Sequence, residues 1–565
     1  MKKIAPLLIL LFILVVVKSA PAQDQLTMGR NLLKSKDCSG ALQYLLRAVA
    51  DDPRSAKVNM YVGEAYLCLG KLDSSELFLQ NAVKYDDELV EAFGALGQTL
   101  ALEKKNTDAI QYYKVASQLD PKNSSYVISL GNNYLAIDSL DNAMQAFYKA
   151  RDMNDKNARA IEGIADVYRE QGILDAAIDN YKEALTLDSL NVPLRLKLAN
   201  TYMKNNDGTD AYQEFVNATQ IEPNNAEAQR QAGEILYINK KYREAFTFLE
   251  KYHQLVPNDD KALLHLGESA VEGKFYPEAV KYYQEYLKKY PNSVEAKKNL
   301  AAAYFFWQKA PDAYNTFKSI PIDSMSVKDL TRFGIAAQAV KDTNATIDAW
   351  SHAVKLDTTQ SVLENLLANT LFASKRYDQA IVHFQRHLAM TPDDVAAELN
   401  MGLCYIVVKD YPDAITALRR VVSIKPDNFV GTHWLALTYS LVDSVDEETE
   451  VYQNVIKLAL ADTSADHSSE LNEAYRQIGF SKLMAGSKLT KDKPDEAKKY
   501  FTDAQQDLMT ALKYDPKELK THALLAQDYA FLGKIDDACK EIKLVLKQDP
   551  KNDQMIKLQK ALNCE

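Results

Sequence analysis

The stretch ARAIEGIADVYREQGILDAAIDNYKEALTLDSLN, residues 158–191, decides the fold. Ala165 is followed three places on by Tyr168, so a small and a large side chain share one helical face. Twelve places beyond Ala165 stands a second small residue, Ala177, then the large Tyr181 four later and Ala184 three after that. Small residues at matched places have a steric purpose, because two helices reach the near edge of the ~8–10 Å packing range only where the contact carries no bulk. The stretch reads as two closely crossing helices, ended by the turn-forming Asp188 and Ser189.

The same register recurs every 34 residues. The first small residues are Gly29, Gly63, Gly97, Gly131, Ala165, Ala199, Gly233, Gly267 and Ala301. After a one-residue deletion come Gly334, Ala368, Gly402 and Ala436, and after two insertions Gly479 and Ala526, making fifteen units. Three places on, only Lys482 breaks the apolar rule. Large knobs recur at the place of Tyr181, among them Tyr113, Phe147, Phe215, Trp350 and Phe384. Many units stop at a proline, such as Pro53, Pro121, Pro223, Pro392 or Pro550, which cannot continue a helix.

These features, with Leu96-Gly97, Tyr181 and Ala184, and Asp120-Pro121-Lys122-Asn123, resemble the tetratricopeptide-repeat (TPR) family over residues 22–550. The resemblance implies an all-α fold, a right-handed superhelical solenoid of about fifteen helix-turn-helix units, and a role in binding proteins. It leaves no room for a separate catalytic domain. The expected division is a leader at 1–22, units 1–9 at 23–325, units 10–13 at 326–459, units 14–15 with their insertions at 460–551, and a capping helix at 552–565. A cap with a polar outer face is what a solenoid end requires.

The leader reading rests on Lys2 and Lys3, an apolar run at 6–17, and Ala20-Pro21-Ala22, a small-x-small cleavage site. About a dozen apolar residues fall short of the ~20 that span a bilayer, so no membrane span is expected once the leader is removed. The expected location is outside the cytoplasm, periplasmic or secreted, with partners that are proteins or peptides of an envelope assembly. The net charge is -10, and losing Lys2, Lys3 and Lys18 takes the 67 basic residues to 64 against 77 acidic ones. That excess argues against nucleic acid.

No phosphate-binding loop, nucleophile elbow or paired zinc-ligand spacing is present, so the sequence asks for no cofactor and names no catalytic residue. His383 and His387 lie four apart on one expected helix, yet no acidic or cysteine third ligand stands at useful spacing. Stretch 461–470 is polar and helix-poor, which marks it as a candidate flexible joint, and the extra residues near 486–494 are expected to lengthen the helices of unit 14.

The resemblance implies that the first helix of each unit lines the concave face and that its fifth and ninth positions touch bound peptide. In units 1–4 these are Leu26 and Arg30, Met60 and Glu64, Gly94 and Gln98, and Ile128 and Asn132, so the lysine-asparagine carboxylate clamp of chaperone-binding members is absent. Units 5–8 place Glu162, Asp166, Glu170, Glu234, Glu268 and Glu272 there, with Arg169 and Arg230, as expected of a solvated acidic face. Units 9–13 place Phe305, Phe306, Phe372, Leu403, Ile406, Val407, His433 and Leu437 there or nearby, an apolar strip that is the candidate protein-binding site. Register within a solenoid also sets Cys38 beside Cys68 and Cys539 beside Cys564, leaving Cys404 alone; both pairs are either disulfides of an oxidising compartment or free thiols. The leading functional expectation is a non-catalytic scaffold or adaptor, the alternatives being a scaffold for polysaccharide export or modification and, from another class, an enzyme.

Overall fold

A computed structural model describes residues 22–442 and 444–564, so the leader expected over 1–22 lies outside the described residues except for Ala22. The described residues form thirty-one α-helices and one short 3-10 turn. Within each of two compact bodies, each described helix packs on the next in sequence, and the main contacts that skip a helix join the first helices of neighbouring units. This nearest-neighbour pattern makes an all-α solenoid. The chain divides into two compact bodies at Phe275 and Tyr276, between the two helices of unit 8.

Unit 5 shows how sequence becomes structure. Its first helix, Ala158–Glu170, starts where the Asn157 side chain accepts from the Arg159 and Ala160 amides, and its second, Leu174–Leu187, follows after three residues. Ala165, Ala177, Tyr181 and Ala184 are fully buried along the seam. The glycine units add a detail that the sequence reading missed, because the knob sits directly over the small residue of its own unit. A Cβ at Gly97 would stand 3.0 Å from Tyr113, and one at Gly402 3.0 Å from Leu418, so the missing side chain is the knob's seat.

In units 1 to 12 and 15 the chain takes the left-handed conformation seven places after the small residue, to turn between helices. Gly70, Gly172 and Gly533 do so freely, but Lys36, Lys104, Lys240, Lys274, Lys341, Lys375 and Lys409 do so at φ 58–68°. Lys409→Gly, which relieves a φ of 67°, is expected to stabilise the protein by about 0.5 kcal/mol in urea unfolding, the relief being partly offset by backbone entropy.

Irregularities fall where the spacing changes. The second helix of unit 9, Ala310–Lys318, is cut to nine residues and is followed by the 3-10 turn Ile322–Ser324. Unit 14 has helices of 22 and 21 residues, Ser468–Leu489 and Pro494–Tyr514, against 13 and 14 in unit 5. The exceptional Lys482 reaches out of the first to pair with Asp507 of the second at 2.6 Å. Of the stretch 461–470, the helices claim Ala461 and residues 468–470, and the loop between is tied by its own side chains. Asp462 accepts from Ser464 and His467, which hold its carboxyl at about 2, and the His467 ring lies 4.3 Å from that of Phe429.

Candidate functional site

The acidic face of the first body is internally paired. Lys197 reaches from unit 6 to Glu162 and Asp166 of unit 5 at 2.6 and 2.7 Å, and the Tyr181 hydroxyl donates to the other oxygen of Asp166. Burial opposes the Lys197 charge, but the two carboxylates outweigh it and hold the ammonium above its ordinary range. Arg230 pairs with Glu227 at 2.9 Å, and Tyr237 donates to Glu268 at 2.6 Å. Much of this face's hydrogen-bonding capacity is therefore spent within it.

The apolar candidates of the second body separate into three sets. Phe372 and Ile406 pack against the core of units 9 to 12. Phe305 and Phe306 end the first helix of unit 9, Val294–Phe306, with rings 5.7 Å apart, and the Arg332 guanidinium lies 5.0 Å from the Phe306 ring. They stand apart from the candidates of units 12 and 13, because the first helices of units 10 and 11 intervene. Leu403 and Val407 belong to the first helix of unit 12, Val395–Val408, and His433 and Leu437 to that of unit 13, Phe429–Leu441. These two helices are in contact.

Around that pair the structure adds residues that the sequence reading missed. Leu437 and Leu403 stand one place after the small residue of their units, and Phe480 of unit 14 does the same. Val407, Leu441 and Met484 stand five places after it. Val407 is 53% exposed, Leu441 54%, Met484 40% and Phe480 38%, and Trp434 is exposed beside them. Counting from the small residue finds both rows, whereas the fifth and ninth positions alone find one. The polar margin is ordered too: Asn400 donates to Asn369 at 2.8 Å, while Glu473 accepts from His433 at 3.2 Å and pairs with Arg476 at 3.6 Å. The His433 bond, outweighing burial, lowers the Glu473 carboxyl from its usual range.

His383 and His387 do not converge on one point. His383 Nδ1 bonds the fully buried Glu364, and His387 bonds Asp394 at 3.0 Å and Ser361 at 2.8 Å. Among the described residues no three His, Cys, Asp or Glu side chains are grouped to hold a metal ion. The structure brings Cys38 to Cys68, Cα atoms 6.0 Å apart, and Cys539 to Cys564, 5.5 Å apart, both within disulfide reach. Cys404 is buried, which pushes its thiol up to about 12, with Asp378 adding to the shift. No helix among the described residues is long and apolar enough to cross a membrane.

Family comparison matches five stretches to four tetratricopeptide-repeat families: 26–84 and 196–260, 165–206, 261–293, and 371–431. No curated protein matches the sequence. Among solved structures, the C-terminal part of a TPR repeat-containing protein from Cytophaga hutchinsonii is 18% identical over 46% of this chain and 98% of its own, with a TM-score of 0.32. PilF of Pseudomonas aeruginosa is 18% identical over 38% and 97%, with a TM-score of 0.33. A thermophilic TPR protein of Thermus thermophilus is 20% identical over 32% and 99%, with a TM-score of 0.28. With matched stretches from residue 26 to residue 431, and a helix-turn-helix register that continues to residue 550, the chain belongs to the tetratricopeptide-repeat proteins.

Proposed function

We propose that this protein is an exported, non-catalytic scaffold of the cell envelope that holds an apolar segment of a partner protein along the first helices of units 12 to 14. The observation that carries the reading is the pair of rows Leu403, Leu437, Phe480 and Val407, Leu441, Met484, which recur in one register and stay partly open. Three consecutive units present the same two places, so a segment laid across them meets apolar contacts in register, while Asn369 and Asn400 offer amides at the margin. Two features support export: the leader pattern at 1–22, and two cysteine pairs placed where an oxidising compartment closes them.

Binding is tested with a panel of fluorescently labelled amphipathic peptides and neutral polar controls on the full chain. Leu437→Asp with Phe480→Asp is expected to weaken the best peptide at least tenfold, since central anchors dominate such contacts, while circular dichroism stays unchanged. Equal binding by both proteins removes the site. Export is tested by intact mass on protein from its native cell, where a chain beginning at Gln23 is expected and one that keeps Lys2 and Lys3 overturns it.

A further inference from the structure

The first helix of unit 15, Leu519–Phe531, packs on the second helix of unit 14, Pro494–Tyr514. On it Asp528 is fully buried, and neither carboxylate oxygen has a hydrogen-bond partner. The place is two residues after the small Ala526. In the same register other units bury neutral hydroxyls: Thr99 meets Ser75 of the preceding second helix at 3.0 Å, and Thr201 and Thr438 each donate to a carbonyl of their own helix at 2.7 Å. A hydroxyl can return its proton to the helix, whereas an ionised carboxylate only accepts and finds no donor here.

The charges around Asp528 do not rescue it. Lys534, from the turn after the helix, is the one charge that acts on it, and its Nζ already donates to Gln505 of unit 14 at 2.7 Å. From the second helix of unit 15, Asp537 and Glu541 add negative charge beside the neighbouring Tyr529, and Glu541 is itself bonded to His522 at 2.6 Å. Burial therefore governs Asp528 and raises its carboxyl to about 7, with Lys534 opposing.

We propose that the joint between units 14 and 15 is gated by a proton on Asp528: protonated, the last unit is seated on unit 14, and ionised, the joint loosens to let water reach the carboxylate. The part that moves is unit 15 with its capping helix, which the Cys539–Cys564 pair keeps as one piece. Loosening parts the stacked rings of Phe501 and Phe531, 4.8 Å apart and 2° from parallel, and opens the nearly buried Phe501. The seated form holds its proton above the ordinary range of an aspartic acid, so it binds more protons than the loosened form between about pH 4 and 7. Seating thus weakens as pH rises through that window and is weakest above it.

Hydrogen exchange on the full chain tests this, with rates corrected for intrinsic pH dependence and the helix Phe429–Leu441 as internal reference. From pH 5.5 to 8.5 the relative protection of Leu519–Phe531 is expected to fall at least tenfold in the wild type and less than twofold in Asp528→Asn. Asp528→Ser, which copies the buried Ser481 of unit 14, gives the same reading should the amide fold poorly. Equal pH dependence in wild type and variants, or none in the wild type, overturns the proposal.

Discussion

Gly334→Val is expected to cost about 3 kcal/mol, near the limit of what overpacking a core exacts. Gly334 lies in the first helix of unit 10, Val327–Ala339, and the indole of Trp350, the largest fully buried side chain, is laid against it from the second helix. A Cβ built at Gly334 runs into Trp350 Nε1, Cδ1 and Cε2, so any side chain must push the ring off its seat. The ring has little freedom to give, since Nε1 donates to the Thr331 carbonyl at 3.4 Å and its neighbours Phe317, Phe333 and Leu367 belong to the same core. Tryptophan fluorescence in urea measures the loss. In the Gly334→Val background, Trp350→Phe should return about 1 kcal/mol, because the two positions share one space. A cost below about 0.5 kcal/mol would mean that the seam yields, and that the small residue is not what sets the helix spacing.

The second large effect is expected at the C-terminal end. The capping helix Asp553–Ala561 has nine residues, too few to stand alone, and it rests on the second helix of unit 15 through Met555 and Leu558. A disulfide from Cys539 to Cys564 would span 25 residues, and closing a loop of that size restricts the unfolded cap by about 3 kcal/mol in the chain-entropy account. Reduction, or Cys539→Ser with Cys564→Ser, should speed hydrogen exchange in the cap about a hundredfold and expose it to proteolysis, while units 10 to 13 keep their protection. An unchanged cap under reductant would show that packing alone holds it.

The repeat is legible because it is written in volume: a Gly or Ala at fixed places is a statement about distance, with a small hydroxyl residue such as Ser75 as its occasional substitute. Backbone dihedrals leave a weaker trace. Lys375 and Lys409 read as ordinary surface residues, and nothing in their chemistry announces a positive φ, because the turn is dictated by the helices on either side. Linear spacing also hides partners. His383 has no acid at a useful interval along its own helix, yet Glu364, nineteen positions earlier, bonds it from the first helix of the unit. The apolar strip is half visible: Leu403, Val407 and Leu437 are found by type, whereas Phe480 and Met484 appear only when positions are counted from Gly479. Nothing in the sequence singles out Asp528, since its burial is decided by the neighbouring unit and not by its own helix.

Closed as disulfides, the two cysteine pairs would also set how the chain answers a pull. A thread drawn at its ends lengthens by about 3.5 Å for each residue released, and the links close stretches of 30 and 25 residues near the two ends. About 100 Å of slack at one end and about 85 Å at the other are thereby withheld. Tension would bypass both closed stretches and reach the interior units, while the helix Ala22–Lys34, which lies outside the first link, would be free to peel away.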